Sequence, residues 1–163
     1  MEPKNKEKGS ITAIGSRGHE ARRQLCTFYV EKQLYGIDVT QVQEVVRHLP
    51  MSRIPLAINS VRGLINLRGQ VATAIGLREM FAISGATRNE PMNVILKHEG
   101  SLIALQVDEI GDVMEVERND IERIPATIPD SIRSYMSGVF QLNGSLLCVI
   151  DLSKLFKNVG EAV

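Results

Sequence analysis

One segment of this chain occurs twice, and the duplication restricts the fold more than any other feature of the sequence. Residues 61–71 return, shifted by 75 positions, as residues 136–146. Each copy follows an Arg-Ile-Pro triplet, which begins at Arg53 in the first copy and at Arg123 in the second. Units of about 60 residues bury too little surface to be stable alone. The chain of 163 residues is therefore predicted to form two repeats that share one core.

Composition argues against several classes of function. The chain carries 19 basic and 19 acidic residues, so it has no global attraction for nucleic acid or anionic membranes. It has no Trp, three Tyr and four Phe, too few aromatic residues for the stacking surface of a single-strand binder. His19, His48 and His98 are not spaced with a carboxylate or thiol as a nucleophile–base pair. We expect no enzyme, no catalytic residue, no cofactor, no metal and no nucleic-acid partner.

The cysteines and the hydropathy of the chain predict its cellular compartment and the extent of its folded domain. Cys26 and Cys148 lie singly in apolar runs, which predicts buried thiols in a reducing compartment. No apolar run has signal-peptide or membrane-span length, so we expect a soluble, cytoplasmic protein without membrane insertion. Residues 1–22 are polar and aperiodic and are predicted to form a disordered tail. Residues 23–163 are predicted to form a single domain with repeats at about 40–91 and 108–157, completed by the opening strands and the C-terminal segment.

The strand pattern predicts hairpins in both halves. Residues 25–30 and 34–39 are β-branched and aromatic runs around a polar turn, and residues 93–97 and 102–107 repeat the arrangement. Thr40 and Gln43 have the spacing of a capping box, which predicts a short helical turn leading into a third strand. We expect the equivalent turn in residues 108–114.

The repeated block predicts a second hairpin in each copy. In the first copy, alternation places the apolar residues of the outgoing strand on the inner face. Its tip is Arg68-Gly69, whereas the second copy has Asn143-Gly144, the strongest short hairpin signal. Arginine is unusual at a position that requires positive φ, so Arg68 needs another explanation. The residues expected on the inner face are Val61, Gly63, Ile65, Leu67, Val71, Thr73 and Ile75, with Met136, Gly138, Phe140, Leu142, Leu146, Cys148 and Ile150 as their counterparts.

Each copy is predicted to end in a short amphipathic helix, at residues 77–81 and 152–156. The pattern gives five strands per repeat, and the turn spacing is typical of small closed barrels. The fold class is therefore all-β with short helices. Each repeat forms one five-stranded barrel.

Two segments are candidates for function. Arg62, Asn66 and Arg68 alternate to the outer face of the first hairpin, which is either an ordinary solvated surface or a contact surface. Val42, Val45 and neighbouring residues of 42–46 form either a cap on the barrel or an apolar patch for docking a partner beside Glu44.

Residues 63–71 and 75–78 resemble the signature of the CheW family of bacterial chemotaxis coupling proteins, and residues 35–39 and 42–45 resemble its opening segment. The likeness covers about residues 24–157. It implies two SH3-like barrels that share a central core. Gly76 departs from the pattern, because an acidic residue is usual there, and its internal counterpart is Asp151.

The resemblance also implies a function. Members of this family are non-enzymatic adaptors between chemoreceptors (methyl-accepting chemotaxis proteins) and the regulatory domain of a CheA-type histidine kinase. The implied partners are that domain, the cytoplasmic receptor tips and other CheW-like domains in rings, so the chain would be recruited to receptor arrays at the inner membrane. By this likeness the receptor- or kinase-binding residues are Arg68, Asn66, Gly63, Arg62, Val42, Glu44, Val45, Ile110 and Val113, with Ile110 and Val113 on the far side of one groove.

One alternative within the family stays open. A divergent paralogue would bind receptors without activating the kinase, or would serve another chemosensory pathway. It predicts one partner where the coupling adaptor has two.

Overall fold

The computed structural model describes residues 21–85 and 90–162, with side-chain surroundings up to residue 159. The predicted tail lies outside the described residues except for Ala21 and Arg22, and the first strand begins at Arg22. Two antiparallel-rich sheets account for most of the described chain. The first sheet contains β1 (Arg22–Val30), β2 (Gln33–Asp38), β9 (Glu109–Glu117), β10 (Met136–Leu142) and β11 (Ser145–Ile150), in the order β10-β11-β2-β1-β9.

The second sheet is built from one continuous part of the chain. Its strands are β3 (Val42–Val46), β4 (Met51–Ser52), β5 (Val61–Leu67), β6 (Gln70–Gly76), β7 (Met92–His98) and β8 (Ser101–Val107). Their order in the sheet is β3-β7-β8-β6-β5-β4. The predicted hairpins are confirmed, since β1 pairs with β2, β5 with β6, β7 with β8 and β10 with β11.

Parallel pairs join hairpins from different parts of the chain. Strand β2 pairs in parallel with β11, and β6 pairs in parallel with β8. The opening hairpin β1–β2 thereby completes the sheet that contains the second repeat, and β7–β8 completes the sheet of the first. The first sheet consequently needs both ends of the described chain, which makes the two barrels one folding unit.

Three apolar clusters account for the core. One lies inside each barrel, around Ile65 and Ala72 in the second sheet and around Leu25 and Val149 in the first. The third and largest lies between the two sheets and includes Tyr35 and Phe81, whose ring centroids are 5.1 Å apart. The predicted fold of two SH3-like barrels sharing a central core is confirmed. The second sheet has six strands and not the expected five, because the short strand β4 pairs with β5 at its edge.

Short helices close the ends of the hairpins and pack into the shared core. Helix α1 (Leu77–Met80) follows β6, α2 (Asp130–Arg133) precedes β10, and α3 (Leu152–Ala162) follows β11. The predicted terminal helices are confirmed, although α3 extends further than expected. Leu77 and Leu155 are fully buried in the central cluster. The helices therefore cover the core between the barrels.

One of the two helical turns predicted before the third strands is confirmed. A 3₁₀ turn over Val39–Gln41 leads into β3, although the carboxylate of Asp38, not the side chain of Thr40, provides the cap and accepts a hydrogen bond from the backbone N–H of Thr40 at 3.0 Å. The turn predicted in the second repeat was wrong. After Asp108 the chain enters β9 directly at Glu109. Residues 109–117 pair with β1 from the first residue of the strand, so their backbone groups are used in the sheet and no helical turn forms in this segment.

The inner face predicted for β6 was also wrong. Val71 is 63% exposed, whereas Ala72 and Ala74 are fully buried. The reason is the register, because Asn66 is opposite Val71 and Ile65 is opposite Ala72. A tip of two residues places Val71 beside the outward Asn66. Ile75 still reaches the central core because the register shifts between Val61 and Gly63.

Candidate functional site

The tip of the β5–β6 hairpin has an unusual backbone. Arg68 has φ 50° and Gly69 has φ 84°. Positive φ is uncommon for residues other than glycine, and holding such a residue there costs about 1–3 kcal/mol. Asn66 stabilises the turn, since its side-chain oxygen accepts a hydrogen bond from the backbone N–H of Gly69 at 3.0 Å. Asn66 therefore shapes the tip on which Arg68 is presented.

Arg68 forms a bidentate ion pair with Glu44 of β3. Its two terminal nitrogens donate to the two carboxylate oxygens of Glu44 at 3.1 and 2.8 Å. The Arg68 side chain is 75% exposed and that of Glu44 is 21% exposed. Exposed pairs of this kind stabilise a fold by only about 0.2–1 kcal/mol. The pair mainly orients the guanidinium, and the remaining N–H donors of Arg68 are available to a partner.

Arg62 and Gly63 lie toward the opposite end of β5 and have different environments. Arg62 pairs with Glu79 at 3.2 Å, between Nη1 and Oε1. Gly63 is buried, and a Cβ atom there would lie 2.4 Å from the backbone oxygen of Ser52 and 2.6 Å from Cγ of Met51. The glycine allows β4 to approach β5. The structure thus gives Gly63 a packing role inside the barrel.

The remaining candidates lie on two strands at sheet edges. Val42 and Val45 belong to β3, at one edge of the second sheet, and Ile110 and Val113 belong to β9, at one edge of the first. Val42 and Ile110 are half-buried against the central cluster. Val45 is 37% and Val113 is 59% exposed. The structure therefore brings Arg68, Asn66 and Glu44 together, and it assigns Ile110 and Val113 to the other sheet.

A buried charged network escaped the sequence-based reasoning. Arg78 of α1 donates to the carboxylate of Asp108 at 2.8 Å, and both side chains are less than a tenth exposed. Arg78 also pairs with Glu31 in the β1–β2 turn, and the backbone N–H of Glu31 donates to Asp108 at 2.7 Å. The network connects elements of the two sheets. The signal in the sequence was a charged residue directly after a mainly apolar segment, both at Asp108 and at Arg78.

Electrostatics favour the charged form of Arg78. The hydrogen bond to Glu31 raises the pKa of the Arg78 guanidinium, burial opposes the rise, and the nearby charge of Asp108 adds to it. A buried arginine needs such partners because an unpaired charge in the interior is strongly unfavourable. The three side chains are therefore mutually dependent.

The two terminal helices are capped differently. At α3, an oxygen of Asp151 accepts hydrogen bonds from the backbone N–H and the hydroxyl of Ser153. Partial burial opposes ionisation of Asp151, but these bonds and the charge of Lys154 outweigh it and lower its pKa. Gly76, at the start of α1, makes no side-chain capping bond, and the Glu79 carboxylate occupies the space where a Cβ of residue 76 would lie.

The predicted burial of the two cysteines is confirmed, and Cys26 lies opposite Val113 in the β1–β9 ladder. Cys26 and Cys148 are free and buried. Burial raises the pKa of Cys26, and it raises that of Cys148 to about 11. Among residues 21–85 and 90–162, no group of three or more His, Cys, Asp or Glu side chains could hold a metal ion. In the same part of the chain, no helix has both the length and the apolar character needed to span a membrane.

These features define a class: a duplicated β-barrel protein that presents a fixed, charged hairpin tip at its surface. The family described as the CheW-like domain matches residues 24–160. The chain therefore belongs to the CheW-like domain family, and the prediction made from the sequence is confirmed.

Individual relatives agree with this assignment. The chain is 34% identical over 140 residues to the chemotaxis protein CheW of Treponema pallidum, which covers 83% of this chain and 82% of the relative. It is 27% identical to that of Klebsiella aerogenes, over 92% of this chain and 91% of the relative. The crystal structure of the scaffolding protein TtCheW from Thermoanaerobacter tengcongensis superposes with a TM-score of 0.69 at 27% identity, covering 79% of this chain and 88% of that one.

Proposed function

We propose that this chain is a non-enzymatic adaptor in bacterial chemotaxis that couples chemoreceptors to a CheA-type histidine kinase. Its relatives are named as chemotaxis proteins, and a solved relative is titled a scaffolding protein. Two barrels on one core give the chain two different surfaces, as an adaptor requires. The protein would work in the cytoplasm, in receptor arrays at the inner membrane that include further CheW-like domains.

One observation carries the proposal: Arg68 is held in a strained turn and oriented by Glu44, yet remains 75% exposed. A surface arginine is free to move unless something fixes it, and a fixed guanidinium loses less entropy when it binds. Arginine is also enriched among the residues that dominate binding energy at protein interfaces. We assign Arg68 to the receptor contact, with Asn66 and Glu44 as positioning residues.

Coupling in this scheme requires no chemistry in the chain itself. Receptor binding at the hairpin tip and kinase binding elsewhere would be linked through the shared core, which keeps the barrels in a fixed relation. Val42 and Val45 lie on the strand that carries Glu44, so they would extend the contact around Arg68. Ile110 and Val113 would contribute from the edge of the first sheet.

Isothermal titration of a receptor-tip fragment tests the assignment of Arg68. Arg68→Glu should weaken binding at least tenfold, because the interface loses its cation and gains a charge beside Glu44. The melting temperature should change by no more than about 2 °C, since the lost pair is exposed. Asn143→Glu is the matched control, because residue 143 occupies the equivalent tip of the second hairpin. It should bind like the wild type.

Two results would contradict the assignment. The first is unchanged receptor binding by Arg68→Glu. The second is a large fall in its melting temperature, which would give the residue a structural role. If the wild type bound the receptor fragment but not the regulatory domain of the kinase, the chain would be a relative that binds receptors without recruiting the kinase.

A further inference from the structure

The turn between β4 and β5 combines a constrained backbone with a fully exposed leucine. The backbone N–H of Ala57 donates to the carbonyl of Ile54 at 3.4 Å, so Pro55 and Leu56 occupy the central positions of a β-turn. Leu56 has φ 61°, a conformation for which turns favour glycine. Its exposure is 105%, so the side chain is not stabilised by packing within the chain. The fold itself gives no reason for leucine at this position.

The turn is nevertheless fixed in place. Ile54 and Ala57 pack against the central cluster on either side of Leu56. Ile58, which follows, is 46% exposed. We call residues 54–58 the apolar turn. It presents leucine and isoleucine side chains from an anchored backbone, an arrangement that resembles the preorganised apolar contacts at the centre of protein interfaces.

The second repeat shows that the fold does not require this exposure. Its equivalent triplet, Arg-Ile-Pro at 123–125, is followed by Ala126 where the first repeat has Leu56. Ile128, the counterpart of Ile58, packs against the central cluster, and its backbone N–H donates to the carbonyl of Pro125 at 3.2 Å. The equivalent segment therefore turns one residue later, around Ala126 and Thr127, and directs its isoleucine into the core. The exposed apolar residues belong to the first repeat.

Charge around the apolar turn indicates what kind of surface would cover it. Residues 45–78 contain five arginines and no Asp or Glu, but Arg62, Arg68 and Arg78 pair with carboxylates from outside this stretch. Arg47 and Arg53 of this stretch are exposed, and Arg53 directly precedes the turn. Complementary charge favours association and suppresses wrong partners. The surface that fits has an apolar pocket rimmed by carboxylates.

The apolar turn is also well separated from Arg68. It precedes the first residue of β5, whereas Arg68 follows the last one. A strand of seven residues is roughly 20 Å long. Two partners could therefore bind at the two ends of β5 at the same time.

We propose that the apolar turn is the docking point for the second partner, the regulatory domain of the CheA-type kinase. Leu56 enters an apolar pocket of that domain, and Arg53 pairs with carboxylates at its rim. The inference rests on the proposed function and adds to it the surface that recruits the kinase. It also accounts for a leucine at a glycine-favoured position, because the side chain is buried only in the complex.

Leu56→Gly separates binding from stability. Glycine suits φ 61°, so the variant should melt at the same temperature as the wild type or above it. Calorimetric titration with the purified regulatory domain should show a Kd at least tenfold higher, with binding of the receptor-tip fragment unchanged. Ala126→Gly, at the equivalent position of the second repeat, is the matched control and should leave both affinities unchanged.

Arg53→Glu tests the charge at the rim. It should weaken binding of the regulatory domain and make that binding less dependent on salt, because an attractive charge pair is lost. Arg123→Glu is its control, since Arg123 begins the equivalent triplet and is also exposed. Affinity for the regulatory domain should be unaltered in this control.

The inference is overturned if Leu56→Gly binds the regulatory domain as tightly as the wild type, loses receptor binding instead, or melts at a lower temperature. In each of these cases the wild type still binds both probes, so the proposed function survives. A wild-type protein that binds neither probe overturns the proposed function, and this inference with it.

Discussion

The two copies of the repeated hairpin differ where each one turns. In β5–β6 both tip residues have positive φ, and Arg68 is tied to Glu44. In β10–β11 only Gly144 has positive φ, and Asn143 keeps the ordinary sign although asparagine tolerates the left-handed region better than arginine does. The first copy thus carries backbone strain that the second copy avoids. Strain that the fold does not require is typical of functional sites.

The same contrast recurs along the two repeats. The apolar turn exposes Leu56, whereas Ile128 of the second copy packs into the core. The first helix lacks a side-chain cap at Gly76, whereas Asp151 caps the second. Both copies supply strands to one core, but the first copy deviates more often from locally favoured geometry. We therefore propose that the surfaces for partners lie mainly on the first repeat.

Breaking the buried network should have the largest effect on stability. Arg78 has a serine, Ser153, as its counterpart in the second repeat, which therefore lacks the equivalent arginine. Asp108→Ala leaves the Arg78 charge buried with a single carboxylate partner. We expect a loss of about 3 kcal/mol in the free energy of unfolding, measured by urea denaturation.

The double variant Arg78→Met/Asp108→Leu serves as the control for that experiment. It removes both buried charges and keeps similar volumes, so it should recover most of the lost stability. A loss of less than about 1 kcal/mol in Asp108→Ala would show that the network does not hold the barrels together.

Removing the cap of α3 should have a smaller effect that depends on pH. Asp151→Ala should lower the free energy of unfolding by about 1 kcal/mol at pH 7. The pKa of Asp151 is lowered in the folded protein, so its stabilising effect is complete above the unfolded pKa, near 4. This stabilisation is lost as the pH falls through the pKa that Asp151 has in the folded protein.

Urea denaturation of the wild type and of Asp151→Ala from pH 7 down to acidic pH tests this expectation. The difference in the free energy of unfolding between the two proteins should disappear at the acidic end of this range. Ser153→Ala, which keeps the carboxylate and its bond to the backbone, should retain most of the pH dependence. A difference that is independent of pH would contradict the assignment of the cap to the ionised carboxylate.

Local patterns in the sequence were enough to predict the strands and the duplication, because the alternation of apolar residues and the preferences of turn residues act over short distances. They failed for β6, where a two-residue tip sets the register and turns Val71 outward. They also could not show that Arg68 pairs with Glu44, since the two residues meet only when the barrel closes. The network of Arg78 and Asp108 depends in the same way on how two sheets pack. Leu56 was missed because its exposure follows from the turn and not from its neighbours in sequence.

The central claim is that the two ends of β5 bind two different partners at once. Sedimentation velocity of the wild-type protein, mixed with a receptor-tip fragment and the regulatory domain of a CheA-type kinase, tests it most directly. The account predicts one complex that contains all three components and sediments faster than either pair. Mutual displacement, in which adding the kinase domain releases the receptor fragment, would show that the partners share one surface and would contradict the account.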